Sequence, residues 1–128
     1  MVSVTWTYAE FCANILILDN SIRFVGIADK TGRIFATAQR PGIEPILTKE
    51  ELEESIKDAV VRFAIDPFLE EKTGRIMYAL TVYEKLRRAT IHFHKEEILV
   101  MTFDLETDLE SIVTGKVLPL MRDKLVMP

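Results

Sequence analysis

The sequence predicts an α/β domain of the α+β type, ordered helix, strand, strand, helix, strand, strand, strand, helix over 128 residues. Three observations carry that prediction. The stretch Ile22–Ala38, IRFVGIADKTGRIFATA, sets two β-favouring apolar runs around Asp29-Lys30-Thr31-Gly32, the pattern of a β-hairpin. Segments starting at Thr7, Thr48 and Thr107 each match the capping box Ser/Thr-x-x-Glu and lead into apolar residues at helical spacing. Further β-favouring runs stand together between residues 75 and 103.

The first capping box, Thr7-Tyr8-Ala9-Glu10, opens a helix whose apolar face is Tyr8, Phe11, Cys12, Ile15, Leu16 and Leu18, and Asp19-Asn20-Ser21 ends it. The strand Ile22–Asp29 has few polar residues, so both faces are expected to be covered, which makes it central. Gly32 supplies the positive φ of a tight turn. The second strand spans Arg33–Gln39, where Ala36 and Ala38 leave room for a closely packed element. The loop Arg40–Leu47 is punctuated by Pro41, Gly42 and Pro45.

The second capping box, Thr48-Lys49-Glu50-Glu51, opens the helix Glu50–Ile65. Its stripe is Leu52, Ile56, Ala59, Val60 and Phe63, and Val61, Ala64 and Ile65 widen it. A helix this apolar needs two partners, the sheet and a second subunit. Asp66-Pro67 breaks it, and FLEEKTG adds one short turn. Arg75–Tyr83 alternates, with Ile76, Tyr78, Leu80 and Val82 on one face. Arg88–His94 alternates too, with Ala89, Ile91 and Phe93 inward and a polar face outward. Ile98–Phe103 is apolar on both faces and therefore central. The third box, Thr107-Asp108-Leu109-Glu110, opens a helix lined by Leu109, Ile112, Val113, Val117 and Leu120. Pro119 is expected to kink or end that helix, and the last residues are expected to fray.

Residues 1–128 have the size of a single domain. The net charge of −4 and pI of about 5.2 give no electrostatic reason to expect nucleic-acid binding. The densest basic spot, Lys85, Arg87 and Arg88, reads as a solvated strand end. A single cysteine allows no internal disulfide and fits a reducing compartment; its apolar setting marks Cys12 as a small core residue. No basic segment precedes a long apolar run, and no apolar run approaches the ~18 residues of a membrane span, so neither a signal peptide nor a span is expected. The cytoplasm is the expected location.

Catalytic motifs are missing. Lys-Thr-Gly occurs at Lys30–Gly32 and Lys72–Gly74, but no serine has a lysine three positions on, as the penicillin-binding serine enzymes require. There is no phosphate loop and no Gly-x-Gly-x-x-Gly fingerprint. His92 and His94 share a face of a strand and could point at one metal, but a third ligand is not evident and the bland reading, a polar outer face, is preferred. The many carboxylates fall mostly in first turns of helices, where the helix dipole favours them. No catalytic, cofactor-binding or metal-binding residue is assigned, and the protein is not expected to be an enzyme.

The order αββαβββα, opened by a helix leading into Val25-Gly26-Ile27-Ala28-Asp29-Lys30-Thr31-Gly32-Arg33-Ile34, resembles the roadblock/LC7 family of the profilin-like folds. PAS, Cache and GAF sensor domains use similar hairpins. The chain is also similar to small uncharacterised archaeal proteins sharing the IRFVGI strand and the segment Tyr83-Glu84-Lys85, a likeness that brings no known activity. The roadblock resemblance implies a three-layer α-β-α arrangement. A five-stranded antiparallel sheet would carry the first and last helices on one face and the middle helix on the other. It also implies a homodimer formed by the middle helix and the following strand, with Ile56, Val60, Phe63, Ile76, Tyr78 and Leu80 as candidate interface residues. Such domains are non-enzymatic adaptors and regulators of small GTPases. The alternative is a small-molecule sensor of PAS or Cache type, with a pocket between the sheet and the Arg40–Leu47 loop.

Overall fold

The computed structural model describes residues 5–64, 67–93, 96–123 and, for the backbone, 125–127. The chain begins with β1 (Thr5–Thr7) and α1 (Tyr8–Leu16). The capping box forms as the sequence predicts: Thr7 Oγ1 accepts from the Glu10 N–H at 3.1 Å, and the Glu10 carboxylate accepts from the Thr7 N–H at 2.9 Å. Those bonds to Thr7 hold the Glu10 carboxyl below its ordinary value.

The hairpin follows as β2 (Ile22–Ala28) and β3 (Ile34–Gln39). Its turn is an Asx-type turn: the Asp29 carboxylate accepts from the Thr31 N–H at 2.8 Å, the Thr31 hydroxyl at 2.6 Å and the Arg33 N–H at 3.2 Å. Gly32 has φ +89°, and a Cβ there would come within 3.0 Å of Lys57 Cγ on the next helix, so the position excludes side chains twice over.

That next helix is α2 (Lys49–Phe63), capped by Thr48 and Glu51 in the same reciprocal manner. There follow α3 (Pro67–Thr73), β4 (Tyr78–Val82), β5 (Arg87–His92) and β6 (Ile98–Phe103). The chain closes with α4 (Leu109–Ile112), a π-helical turn (Val113–Val117), α5 (Leu118–Asp123) and β7 (Leu125–Met127).

The main sheet has five antiparallel strands in the order β3-β2-β6-β5-β4. β2 and β6 are central, as their two-sided apolar character requires, and all six residues of β6 are buried. One face carries α1 and the C-terminal helical segment: Phe11, Cys12 and Ile15 pack with Val25, Ile27, Leu99, Met101, Val113 and Val117. α1 lies over β2 and β3, on the side where Ala36 and Ala38 provide space. The other face carries α2, whose Leu52, Ile56 and Ala59 bury Ala28, Ile34, Ile98 and Val100. The result is the three-layer arrangement that the resemblance implies.

Several local expectations are corrected. The last residues do not fray: the backbone of β7 pairs in parallel with β1, Thr5 opposite Leu125 and Thr7 opposite Met127. The final helix is capped by Asp108, whose carboxylate accepts from the Ser111 N–H at 3.2 Å, and not by Thr107, whose hydroxyl donates to the Asp104 carbonyl at 2.6 Å. Pro119 does not end the helix. The turn before it widens, the Leu118 N–H reaching back five residues to the Val113 carbonyl, and the proline then sits in the first turn of α5, where a missing N–H costs least. Pro67 opens α3 at the first helical position, where its fixed φ is suited to a helix start. The expected strand Arg75–Tyr83 is ordered as a strand only from Tyr78 to Val82, and the middle helix, expected to run to Ile65, already ends at Phe63, with Ala64 out of helical geometry.

The loop 40–47 is tied down by charge. Arg40 grips Asp104 with two nitrogens, at 2.9 and 3.0 Å, and also reaches the Asn20 carbonyl at 2.6 Å. Arg23 bridges Asp104 at 3.3 Å and the Glu44 carbonyl at 3.2 Å. These bonds, Arg40 first, hold the Asp104 carboxyl below its ordinary value.

Candidate protein-interaction surface

The helical stripe of α2 divides its apolar residues into two sets. Leu52, Ile56 and Ala59 point into the sheet, and Val60 and Phe63 are half-buried against the same cluster. Val61 turns the other way and is 71% exposed. The elements that follow continue the exposure: Phe68 of α3 is 81% exposed, and Leu69, Met77 and Val82 also face solvent. Apolar side chains of this size form an exposed run along consecutive elements of the sequence, with Val82 on the strand face that Tyr78 and Leu80 turn towards α1. The run leads into β4, an edge strand whose outer side has no strand partner among the described residues.

The six candidate interface residues are distributed unevenly over this region. Ile56 is fully buried in the protein's own core. Val60 and Phe63 belong to the α2 face of the sheet, whereas Tyr78 and Leu80 pack on the opposite face with the α1 cluster; Ile76, just before β4, is half-buried. Helical and strand periodicity selects the apolar residues of an element without saying which of them its own core consumes. Val61, Phe68, Leu69, Met77 and Val82 are exposed on these elements, and Ile17, Phe35, Ile46, Tyr83 and Leu105 are the other large apolar residues exposed among the described ones.

Beneath α2 lies a second feature that periodicity misplaces. Arg88 alternates with Ala89 and was expected on a solvated face, yet it is 2% exposed, and Thr90 beside it is buried too. The Arg88 Nη1 donates to Ser55 Oγ of α2 at 2.7 Å, and its Nε has no partner among the described residues. Burial pulls the guanidinium below its ordinary value; Tyr83 opposes that shift, Arg62 adds to it and Asp58 opposes it. Of its basic neighbours, Lys85 is exposed and Arg87 donates to the Tyr83 carbonyl. A buried cation with so few partners is sensitive to losing one. Ser55→Ala is expected to cost about 1–3 kcal/mol in urea denaturation, while Arg88→Met, which removes the charge and keeps the volume, is expected to be neutral or stabilising. An unchanged midpoint for Ser55→Ala would show that the hydroxyl does not hold the arginine.

The other groups singled out in the sequence have structural settings. Cys12 is buried, and burial pushes its thiol up to about 12. His92 Nε2 is met by Arg75 Nη1 at 2.5 Å, and His94 lies outside the described residues. Among the described residues there is no group of three His, Cys, Asp or Glu side chains placed to hold a metal. Among them, too, no helix is long and apolar enough to cross a membrane.

Between the sheet, the 40–47 loop and the start of α2 is a cavity of about 270 Å³. Phe24, Ile34, Leu47 and Leu52 form much of its wall. This is the place in which the sensor alternative puts a pocket.

The described elements define an α+β fold of the roadblock/profilin type, with a five-stranded antiparallel sheet between helical layers. The solved structures bear this out. An MglB with a tetrameric arrangement superposes with a TM-score of 0.66 at 17% identity, covering 86% of this chain and 80% of that one. A roadblock/LC7 domain from Streptomyces avermitilis superposes with a TM-score of 0.57 at 8% identity, covering 94% and 99%. A profilin from Schizosaccharomyces pombe gives 0.57 at 14% identity, covering 88% and 93%. Similarity at these identities is one of fold. No protein-family model matches the sequence, and no curated protein is detectably similar to it.

Proposed function

We propose that this protein is a non-enzymatic adaptor or regulatory module of the cytoplasm that works as a homodimer and docks protein partners. The observation that carries the reading is the exposed apolar run of Val61, Phe68, Leu69, Met77 and Val82 beside the open edge of β4. Burying such a run against a second copy removes apolar area from water and satisfies strand-edge backbone groups in one step. The tetrameric arrangement of one MglB neighbour supports self-association of the fold. A small GTPase is the partner class that the roadblock resemblance supports.

The test is the solution mass by light scattering. A mass near twice 14.7 kDa is expected. The double variant Val61→Glu/Phe68→Glu is expected to fall to the single-chain mass with its far-ultraviolet circular dichroism intact, because Val61 is 71% and Phe68 81% exposed. A wild-type chain that stays at 14.7 kDa would overturn the homodimer.

A further inference from the structure

We propose that the cavity beneath the 40–47 loop is a binding site for a small monocarboxylate whose apolar body has about ten non-hydrogen atoms. Size sets the scale. An apolar cavity of about 150 Å³ accepts a benzene ring. The present volume of about 270 Å³ therefore leaves room for a ring and a short side chain. The wall chemistry suits such a body, with Phe24 and Ile34 from the hairpin, Leu47 from the loop and Leu52 from α2.

The polar groups give the ligand its ends. Arg23 and Lys49 line the cavity, and no aspartate or glutamate does. Arg23 is already engaged by Asp104 and the Glu44 carbonyl. Lys49 has no ion-pair or hydrogen-bond partner for its ammonium among the described residues, and it is the first residue of the 15-residue α2, at the positive end of the helix dipole. Of the nearby carboxylates, Glu51 accepts from the Thr48 N–H at 2.9 Å and Glu53 from the Ile34 N–H at 2.8 Å, and Glu50, next in sequence to Lys49, is exposed and forms no ion pair among the described residues. The mouth of the cavity thus presents an unneutralised cation to an arriving anion in a chain whose net charge is −4.

Thr102 supplies the second end. It is only 8% exposed and lines the cavity, and its hydroxyl has no hydrogen-bond partner among the described residues. A hydroxyl that lines the cavity on a largely covered residue and meets no protein partner among the described residues can pair with a polar atom of a ligand. Lys49, being exposed, stands at the rim, and Thr102, being buried, stands within. A molecule carrying a carboxylate at one end, a hydroxyl at the other and a ring between them meets both. The Arg40 and Arg23 contacts to Asp104 hold the loop in place beforehand, which reduces the ordering that binding requires. The inference is independent of the homodimer.

The probe is 3-(4-hydroxyphenyl)propanoate, titrated into the full chain and followed by amide chemical shifts. Two comparison compounds change one end each: 3-phenylpropanoate lacks the phenol hydroxyl, and 3-(4-hydroxyphenyl)propan-1-ol has a neutral hydroxyl in place of the carboxylate. Saturable shifts are expected at Phe24, Thr37, Leu52 and Thr102, with a dissociation constant of about 0.1–5 mM for a ligand this small. The alcohol is expected to bind about tenfold more weakly or worse. Lys49→Gln should erase the difference between acid and alcohol, and Thr102→Val the difference between the two acids; neither change disturbs the fold, as the first is at an exposed site and the second keeps the side chain's shape. The proposal fails if no saturable shift appears, or if acid and alcohol bind the native chain equally. It fails also if shifts at these residues follow protein concentration and ignore the acid, because the cavity is then filled by a second copy.

Discussion

Phe11→Ala is expected to lower the unfolding free energy by about 3–5 kcal/mol, read from urea denaturation of the two chains. Phe11 is fully buried on α1, between that helix and the sheet. Its ring lies 5.1 Å from that of Phe93 and 6.2 Å from that of Trp6, both tilted, so its loss removes ring contacts as well as transfer energy. The space left is walled by β-strands on one side and a capped helix on the other, which limits collapse around it. A typical domain has only about 5–15 kcal/mol to lose, so the variant should be visibly less cooperative near body temperature. A change below about 1.5 kcal/mol would mean that the α1 layer relaxes into the gap.

Ile56→Ala is expected to cost about 2–5 kcal/mol, for the corresponding reason on the opposite face. Ile56 is the fully buried centre of the α2 stripe, packed with Ala28, Ile98 and Val100. The measurement that separates core from interface is dilution. The difference in denaturation midpoint between wild type and Ile56→Ala should be the same over a hundredfold range of protein concentration. A difference that shrinks on dilution would place Ile56 in the contact between subunits.

The architecture was legible where its signals are local. Thr7 and Thr48 sit three residues before a glutamate, and both boxes close as reciprocal hydrogen bonds. Asp29 and Gly32 announce the hairpin turn because one supplies acceptor oxygens and the other a positive φ. β6 declares itself central by being apolar on both faces. What escaped depends on tertiary contacts. The β1–β7 pair joins three-residue strands from opposite ends of the sequence, too short to carry a period. The cap falls on Asp108, one residue beyond Thr107, while the threonine hydroxyl donates to the Asp104 carbonyl. Arg88 alternates like a solvent-facing residue, and only Ser55 arriving from α2 explains its burial. For the candidate interface, periodicity picks out the apolar positions of helix and strand, but it cannot distinguish Ile56, consumed by the core, from Val61, left outside it. The sensor resemblance implies a pocket between the sheet and the 40–47 loop, and a cavity lies there; which cations and hydroxyls line it could be learned only from the folded chain.

Cys12 has a consequence for experiments of every kind on this chain. It is the only thiol, it is buried, and burial raises it to about 12, so neither access nor ionisation favours alkylation in the native state. Labelling must wait for α1 to lift from the sheet. With a fast reagent, the labelling rate counts each opening; with a slow one, it reports the fraction of time spent open. The chain thus contains its own stopwatch, and any ligand, partner or substitution that steadies the α1 layer can be scored by how much it delays one sulfur.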